Sequence, residues 1–180
     1  MSKYEVPKDK SIKISHILYE IEMYYYSYKR LSGIDSLQPQ NPLERNVVYE
    51  DHMIHLRNMI EFFNCAKDTI TVKHVLKVDY DFSFEDKFNV KRAINKSIGH
   101  ITKERFTEPG KVIDGCLDGI NELYSTINQR VDEFMELLKH EDNLNPDYRE
   151  GYDTKTVQNL INNIDMLREC SAIVIATGAK

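Results

Sequence analysis

The sequence predicts an all-α protein, a single-domain helical bundle of about five helices. Apolar residues recur at three- and four-residue spacing along most of the chain, which is the pattern of one buried helix face. Strand-like alternation is confined to a single stretch. A chain of 180 residues, 41% hydrophobic and 29% charged, can bury a core of its own. We therefore predict one domain over residues 1–180, with roughly the first ten residues flexible.

Two helices are predicted in the first third of the chain. The first begins near Ser11 and ends before Gly33, because a glycine commonly terminates a helix. The second opens at "NPLE", where Asn41 suits the cap and Pro42 suits the first helical position. It is predicted to run to Ala66 through "HLRNMIEFF".

The middle of the chain holds the one ambiguous stretch, "TITVKHVLKVDYDF" at residues 69–82. Its β-branched residues allow a short hairpin near 70–82, and a loop with a helical turn fits equally well. A third helix is then predicted from a cap at Asp81 or Ser83 to about Pro109.

Two longer helices complete the prediction, over 111–140 and 154–176. The first of these has the longest apolar stripe in the sequence. The stripe consists of Ile113, Leu117, Ile120, Tyr124, Ile127, Val131, Phe134 and Leu138. Between the two helices, "EDNLNPDYREGYD" has the composition of a loop.

Charge is distributed unevenly over a chain whose net charge is −5. Residues 87–111 contain seven basic and two acidic residues, whereas residues 132–153 contain eight acidic and two basic residues. Such asymmetry can steer an anionic ligand or pair two subunits, and two solvated helix faces give the same pattern. Apolar runs are far shorter than the roughly 20 residues of a membrane span, so we expect no membrane partner. The cysteines Cys65, Cys116 and Cys170 are far apart and form no CxxC pair, which predicts reduced thiols in a cytoplasmic protein.

The segment "INKSIGHITKERF", residues 94–106, supplies the main candidate site. A polar stripe about 80° wide would carry Asn89, Arg92, Lys96, His100 and Lys103 on the third helix. The neighbouring cations would disfavour the imidazolium form, so His100 would be a neutral base. The same cations would hold a phosphate. An ordinary solvated helix face is the alternative.

Histidines also occur on the second helix. His52 and His55, three residues apart, either ligate a metal or are core and hydrogen-bonded residues. Arg57 and Glu61, four residues apart, can form an ion pair on the same helix. No zinc spacing or phosphate-binding glycine loop is present, and we expect no cofactor.

Two segments carry a resemblance to known proteins. The stretches "HLRNMIEFF" at 55–63 and "NKSIGHITKERF" at 95–106 resemble uncharacterised bacterial helical proteins that repeat Arg-Asn-hydrophobic-x-(Glu/Asp)-Phe-Phe and Lys-x-Ile-x-His-(Leu/Ile)-Thr-x-x-Arg. The same features are similar to the HEPN superfamily of all-α domains. That resemblance implies a homodimer and a metal-independent ribonuclease of toxin–antitoxin or phage-defence type.

The resemblance also implies site residues. In catalytic HEPN members an arginine, a polar residue and a histidine promote attack by the RNA 2′-hydroxyl. Here Asn95 and His100 match the polar residue and the histidine, but Ile94 stands at the arginine position. Arg57, or a cation from a partner subunit, would replace it. Phosphate-binding residues are then expected at Arg92, Lys96, Lys103 and Arg105.

Three functions follow from these patterns. The first is RNA binding or cleavage with His100 as the acid/base residue. The second is a non-enzymatic module that binds a protein partner or itself, to which the tyrosine run at 24–28 would contribute a half-buried helix or an interface. The third is a metal or small-ligand pocket within the bundle.

Overall fold

The chain is all-α, as predicted. The computed structural model describes residues 14–37, 42–65, 69–86, 89–95, 120–149 and 152–177, and no strand occurs among them. The seven α-helices of this part are α1 Ile14–Leu37, α2 Pro42–Phe63, α3 Val72–Val75, α4 Val90–Ile94, α5 Ile120–Leu138, α6 Pro146–Arg149 and α7 Thr154–Thr177. A 3-10 turn, Glu141–Asn143, lies between α5 and α6.

The first helix is longer than predicted, because Gly33 does not end it. Helix α1 continues for another turn to Leu37. Gly33 lies within the helix instead of adopting the left-handed conformation of a terminal glycine, and a Cβ built on it would meet no atom within 4 Å. The prediction that Pro42 opens α2 is confirmed, and α2 ends at Phe63.

The ambiguous stretch contains a helical turn, α3, and no hairpin among its described residues. Thr71 precedes the turn, and the imidazole of His74 accepts a hydrogen bond from the Thr71 N–H at 3.0 Å. After the turn, Leu76 forms an isolated antiparallel bridge with Leu144. The two chain segments are joined there by a hydrogen bond from the Asn145 N–H to the Val75 carbonyl at 2.8 Å.

Helix α4 begins later than the predicted cap at Asp81 or Ser83. Asp81 accepts a hydrogen bond from the Ser83 N–H, a local turn that competes with a helix start. The N-cap position is occupied by Asn89, whose side chain makes no capping hydrogen bond, and Asp86 instead accepts from the N–H groups of Val90 and Lys91 at 2.8 and 3.0 Å. The predicted continuation to residue 109 lies outside the described residues.

The chain divides into two compact units. The central unit comprises the described residues of 57–146, and the terminal unit comprises those of 14–56 and 147–177. The boundary falls within α2, between Leu56 and Arg57. The prediction of one domain over residues 1–180 stays a prediction.

Each unit has buried apolar residues of its own. In the central unit a cluster of phenylalanines is buried, formed by Phe62, Phe63, Phe82 and Phe134. In the terminal unit α1 packs against α7. Buried residues of these two helices include Ile17, Leu18, Ile21 and Tyr24 on α1, and Val157, Ile161 and Ile164 on α7.

Candidate functional site

The last turns of α2 and the start of α4 meet through one carboxylate in the central unit. The Glu61 side chain accepts from Arg57 Nε at 3.2 Å and lies 3.1 Å from Lys91 Nζ. We call Arg57, Glu61 and Lys91 the Glu61 cluster. The carboxylate is 13% exposed, whereas each of the two cations is 35% exposed. The cluster therefore carries one net positive charge, with its cations facing solvent.

The predicted ion pair between Arg57 and Glu61 is confirmed, but its surroundings differ from the prediction. An exposed pair on a helix surface contributes only a few tenths of a kcal/mol. Here the carboxylate is mostly buried and shared by two cations from different helices. Burial of a shared carboxylate strengthens the electrostatic attraction and fixes where the two cations lie.

Two predicted site residues on or next to α4, Arg92 and Asn95, are described. Arg92 is exposed, and Asn95 is half-buried with helical backbone angles. Ile94, at the position where the resemblance places an arginine, is 4% exposed and belongs to the core. A cation at that position would have to be buried, so the arginine of the resemblance could not stand at residue 94 and remain exposed.

The remaining predicted site residues lie outside the described residues. They are His100, Lys96, Lys103 and Arg105. Of the predicted set, the structure therefore brings Arg57 to α4 through Glu61 and Lys91. Sequence reasoning missed Lys91, because it lies off the polar stripe that contains Arg92 and because only tertiary structure brings it to Glu61.

His52 is a core residue of the terminal unit. Its side chain has no exposed surface, and its ring stacks on Tyr24 with ring centroids 5.6 Å apart. The Ser27 hydroxyl lies 3.0 Å from His52 Nδ1 and donates a hydrogen bond to the Tyr24 carbonyl. Burial and the nearby charge of His55 lower the pKa of His52 to about 3. His52 is therefore neutral at pH 7.

His55 has a different environment from His52. Its Nδ1 lies 2.6 Å from a Glu20 carboxylate oxygen, and its Nε2 lies 3.6 Å from Asp51. Burial alone would lower the pKa of His55, but hydrogen bonding and charge from Glu20 and Asp51 together raise it. The imidazolium form thus joins α1 to α2 within the terminal unit.

The two histidines of α2 do not converge on a common ligand. One bonds to a hydroxyl and the other to carboxylates. Within the described ranges, no group of three or more histidine, cysteine or acidic side chains is arranged to hold a metal ion. Hydrogen-bonded roles in packing therefore account for the contacts of both residues.

The fold and the site define an all-α protein with a cation-bearing surface in its central unit and buried histidine contacts in its terminal unit. Comparison of the chain with family models, with curated proteins and with solved structures finds no match. In the part of the chain that the structure describes, no helix has the length and apolar character of a membrane span.

Proposed function

We propose that the protein binds RNA through the basic surface of its central unit and cleaves it without a metal ion, as the resemblance to the HEPN superfamily implies. The observation that supports this proposal is the Glu61 cluster. The cluster contains Arg57 from the first motif segment and Lys91 from α4. Helix α4 ends directly before Asn95, the first residue of the second motif segment. The first motif segment and the helix that precedes the second one are thus neighbours.

Arg57 and Lys91 would supply the positive charge that Ile94 cannot. Both side chains are anchored by Glu61 and remain about one-third exposed. Anchoring lowers the conformational entropy that the side chains would lose on binding a phosphate. Arg92, exposed on the same helix as Lys91, extends the cationic surface. Phosphate affinity rises with the number of such contacts.

His100 is proposed as the acid/base residue. As a neutral imidazole it would accept the proton of an RNA 2′-hydroxyl while the 2′-oxygen attacks the adjacent phosphorus. The bond from phosphorus to the 5′-oxygen breaks, the leaving oxygen takes up a proton from solvent, and the His100 imidazolium returns its proton to solvent. The products are a 2′,3′-cyclic phosphate and a 5′-hydroxyl. Cations from Arg57, Lys91 and Arg92 would stabilise the charge that develops on the phosphate oxygens.

The binding half of the proposal predicts a salt-dependent affinity for RNA. Single-stranded RNA with methylated 2′-hydroxyls cannot be cleaved, so its dissociation constant can be measured by fluorescence anisotropy across a salt series. Arg92→Gln is expected to weaken binding several-fold. It should also reduce the slope of log K against log salt by about 0.7, the value for one lost phosphate contact on a single strand.

Lys155→Gln is the matched control. Lys155 is an exposed cation on α7 in the terminal unit, and its removal changes the net charge by the same amount as Arg92→Gln. We expect its salt slope to equal that of the wild type. Equal slopes for Arg92→Gln and the wild type would contradict a phosphate contact at Arg92.

A further inference from the structure

Phe84 differs from the other phenylalanines that the structure describes. Phe62, Phe63, Phe82 and Phe134 are buried against one another in the core of the central unit. Phe84 is only half-buried, and it lies in the segment without helix between α3 and α4. Part of its side chain is therefore available for a contact outside the core.

Helix α2 fixes the position of Phe84. The Phe84 N–H donates a hydrogen bond at 2.8 Å to Asn64 Oδ1, directly after the last residue of α2. The Asn64 N–H bonds to the Ile60 carbonyl, so Asn64 continues the helical spacing. Arg57, Glu61 and Asn64 follow one another at intervals of four and three residues, which places them on one side of the helix.

The chain remains on this side of α2 after Phe84. Seven residues further on, Lys91 Nζ lies 3.1 Å from the Glu61 carboxylate. Phe84 and Lys91 are thus held by Asn64 and Glu61, two residues that lie about 5 Å apart along the helix axis. The half-buried phenylalanine is therefore a neighbour of the Glu61 cluster and of its two anchored cations.

We infer that Phe84 is a stacking platform for a base of the RNA strand whose phosphates contact the Glu61 cluster. This inference rests on the proposed function and extends it to the class of RNA, which is RNA with an unpaired and unstacked base. Single-strand binding sites combine cations that follow the phosphates with aromatic rings on which bases stack. In a duplex the faces of the bases are covered by their neighbours, so a duplex cannot use the ring.

The test is the affinity of each variant for the single-stranded RNA with methylated 2′-hydroxyls, measured by fluorescence anisotropy across the salt series. Phe84→Leu keeps an apolar side chain and removes the ring. It should weaken binding by about fivefold or more, the effect of one lost stacking contact, and leave the salt slope unchanged because no phosphate contact is lost. Phe84→Tyr keeps a ring and should bind like the wild type.

Two controls separate stacking from a general loss of binding. Inorganic polyphosphate carries the charges of a strand without its bases, so the wild type and Phe84→Leu should bind it equally in isothermal titration calorimetry. Tyr80→Leu removes another ring of the central unit, one that is 40% exposed, packs on Phe82 and bonds to Glu133 of α5. Tyr80→Leu should bind the RNA like the wild type.

Circular dichroism confirms that each variant is folded before affinities are compared. Equal RNA affinities of Phe84→Leu and the wild type would overturn the inference, and they would leave the proposed function standing if Arg92→Gln still lowers the salt slope. An equal loss of RNA and polyphosphate binding in Phe84→Leu would also overturn it, because the effect would not depend on a base. A folded wild type that binds no RNA would contradict the proposed function, and this inference with it.

Discussion

Replacing Phe134 with alanine is expected to lower the free energy of unfolding by about 3–5 kcal/mol. The Phe134 ring has no exposed surface, and its centroid lies 5.3 Å from that of Phe62 and 6.3 Å from that of Phe63. Alanine would remove the burial of the ring and its edge-to-face contacts, and it would leave a cavity that rigid helices cannot close. Urea unfolding followed by circular dichroism measures the loss.

The control for Phe134→Ala is a substitution at Tyr80, which belongs to the same group of aromatic rings. Tyr80 lies 4.6 Å from Phe82 between ring centroids, but its side chain is 40% exposed. Tyr80→Ala should therefore cost only about 1 kcal/mol, since much of its surface stays in water. If the two variants lost the same free energy, the phenylalanine cluster would not be the main source of stability in the central unit.

Acidification is expected to destabilise the fold through His52. The pKa of His52 is about 3 in the folded state against 6.5 in the unfolded chain, so the unfolded state binds more protons between these values. The contribution of His52 to stability is complete above pH 6.5 and is lost as the pH falls toward 3. At pH 4.5, about two units below the unfolded-state pKa, the loss in unfolding free energy amounts to about 3 kcal/mol, because each pKa unit corresponds to about 1.36 kcal/mol.

His52→Phe isolates this contribution. A phenylalanine ring keeps the stacking on Tyr24 and removes the titrating group, so the unfolding free energy of the variant should fall less between pH 7 and pH 4.5. His55 is present in both proteins, and its opposite pH dependence cancels in the comparison. Ile161→Val, a small core truncation in the same unit, should lower stability by about 1 kcal/mol at both pH values. A His52→Phe profile parallel to that of the wild type would contradict the prediction.

Much of the fold could be predicted because apolar residues that recur at helical spacing in the sequence are buried in the structure. Ile127, Val131, Phe134 and Leu138, all on the predicted apolar stripe of α5, are buried. That stripe is uninterrupted, so a single helix face accounts for it. Gly33 misled the prediction because glycine also occurs inside exposed helix turns, and only its backbone conformation distinguishes the two cases.

Two features could not be predicted from the sequence. The start of α4 depends on competition between cap residues, and the contact between Lys91 and Glu61 depends on tertiary structure. Asp81 and Ser83 are both suitable cap residues in sequence, but the Ser83 N–H bonds to Asp81, and Asp86 supplies the acceptors for the first N–H groups of α4. Lys91 reaches Glu61 across thirty positions of the chain, an approach that helical periodicity on either segment does not encode.

The candidate site was predictable in part. The ion pair of Arg57 and Glu61 follows from four-residue spacing, and the burial of Ile94 follows from its position off the polar stripe. The convergence of α2 and α4 on one carboxylate does not follow from either pattern. That convergence brings Arg57, already a candidate for the arginine missing at Ile94, next to α4.

RNA cleavage by the purified protein in EDTA, measured beside His100→Ala, tests the central claim most directly. The proposal predicts that the wild type cleaves single-stranded RNA to products with 2′,3′-cyclic phosphate ends. It also predicts that His100→Ala lowers the rate by about 100-fold or more, the usual contribution of a general base. His140→Ala, at an exposed histidine after α5, is the control and should cleave like the wild type. Wild-type cleavage that is undiminished in His100→Ala, or no cleavage of any structured or single-stranded RNA by the wild type, would contradict the claim.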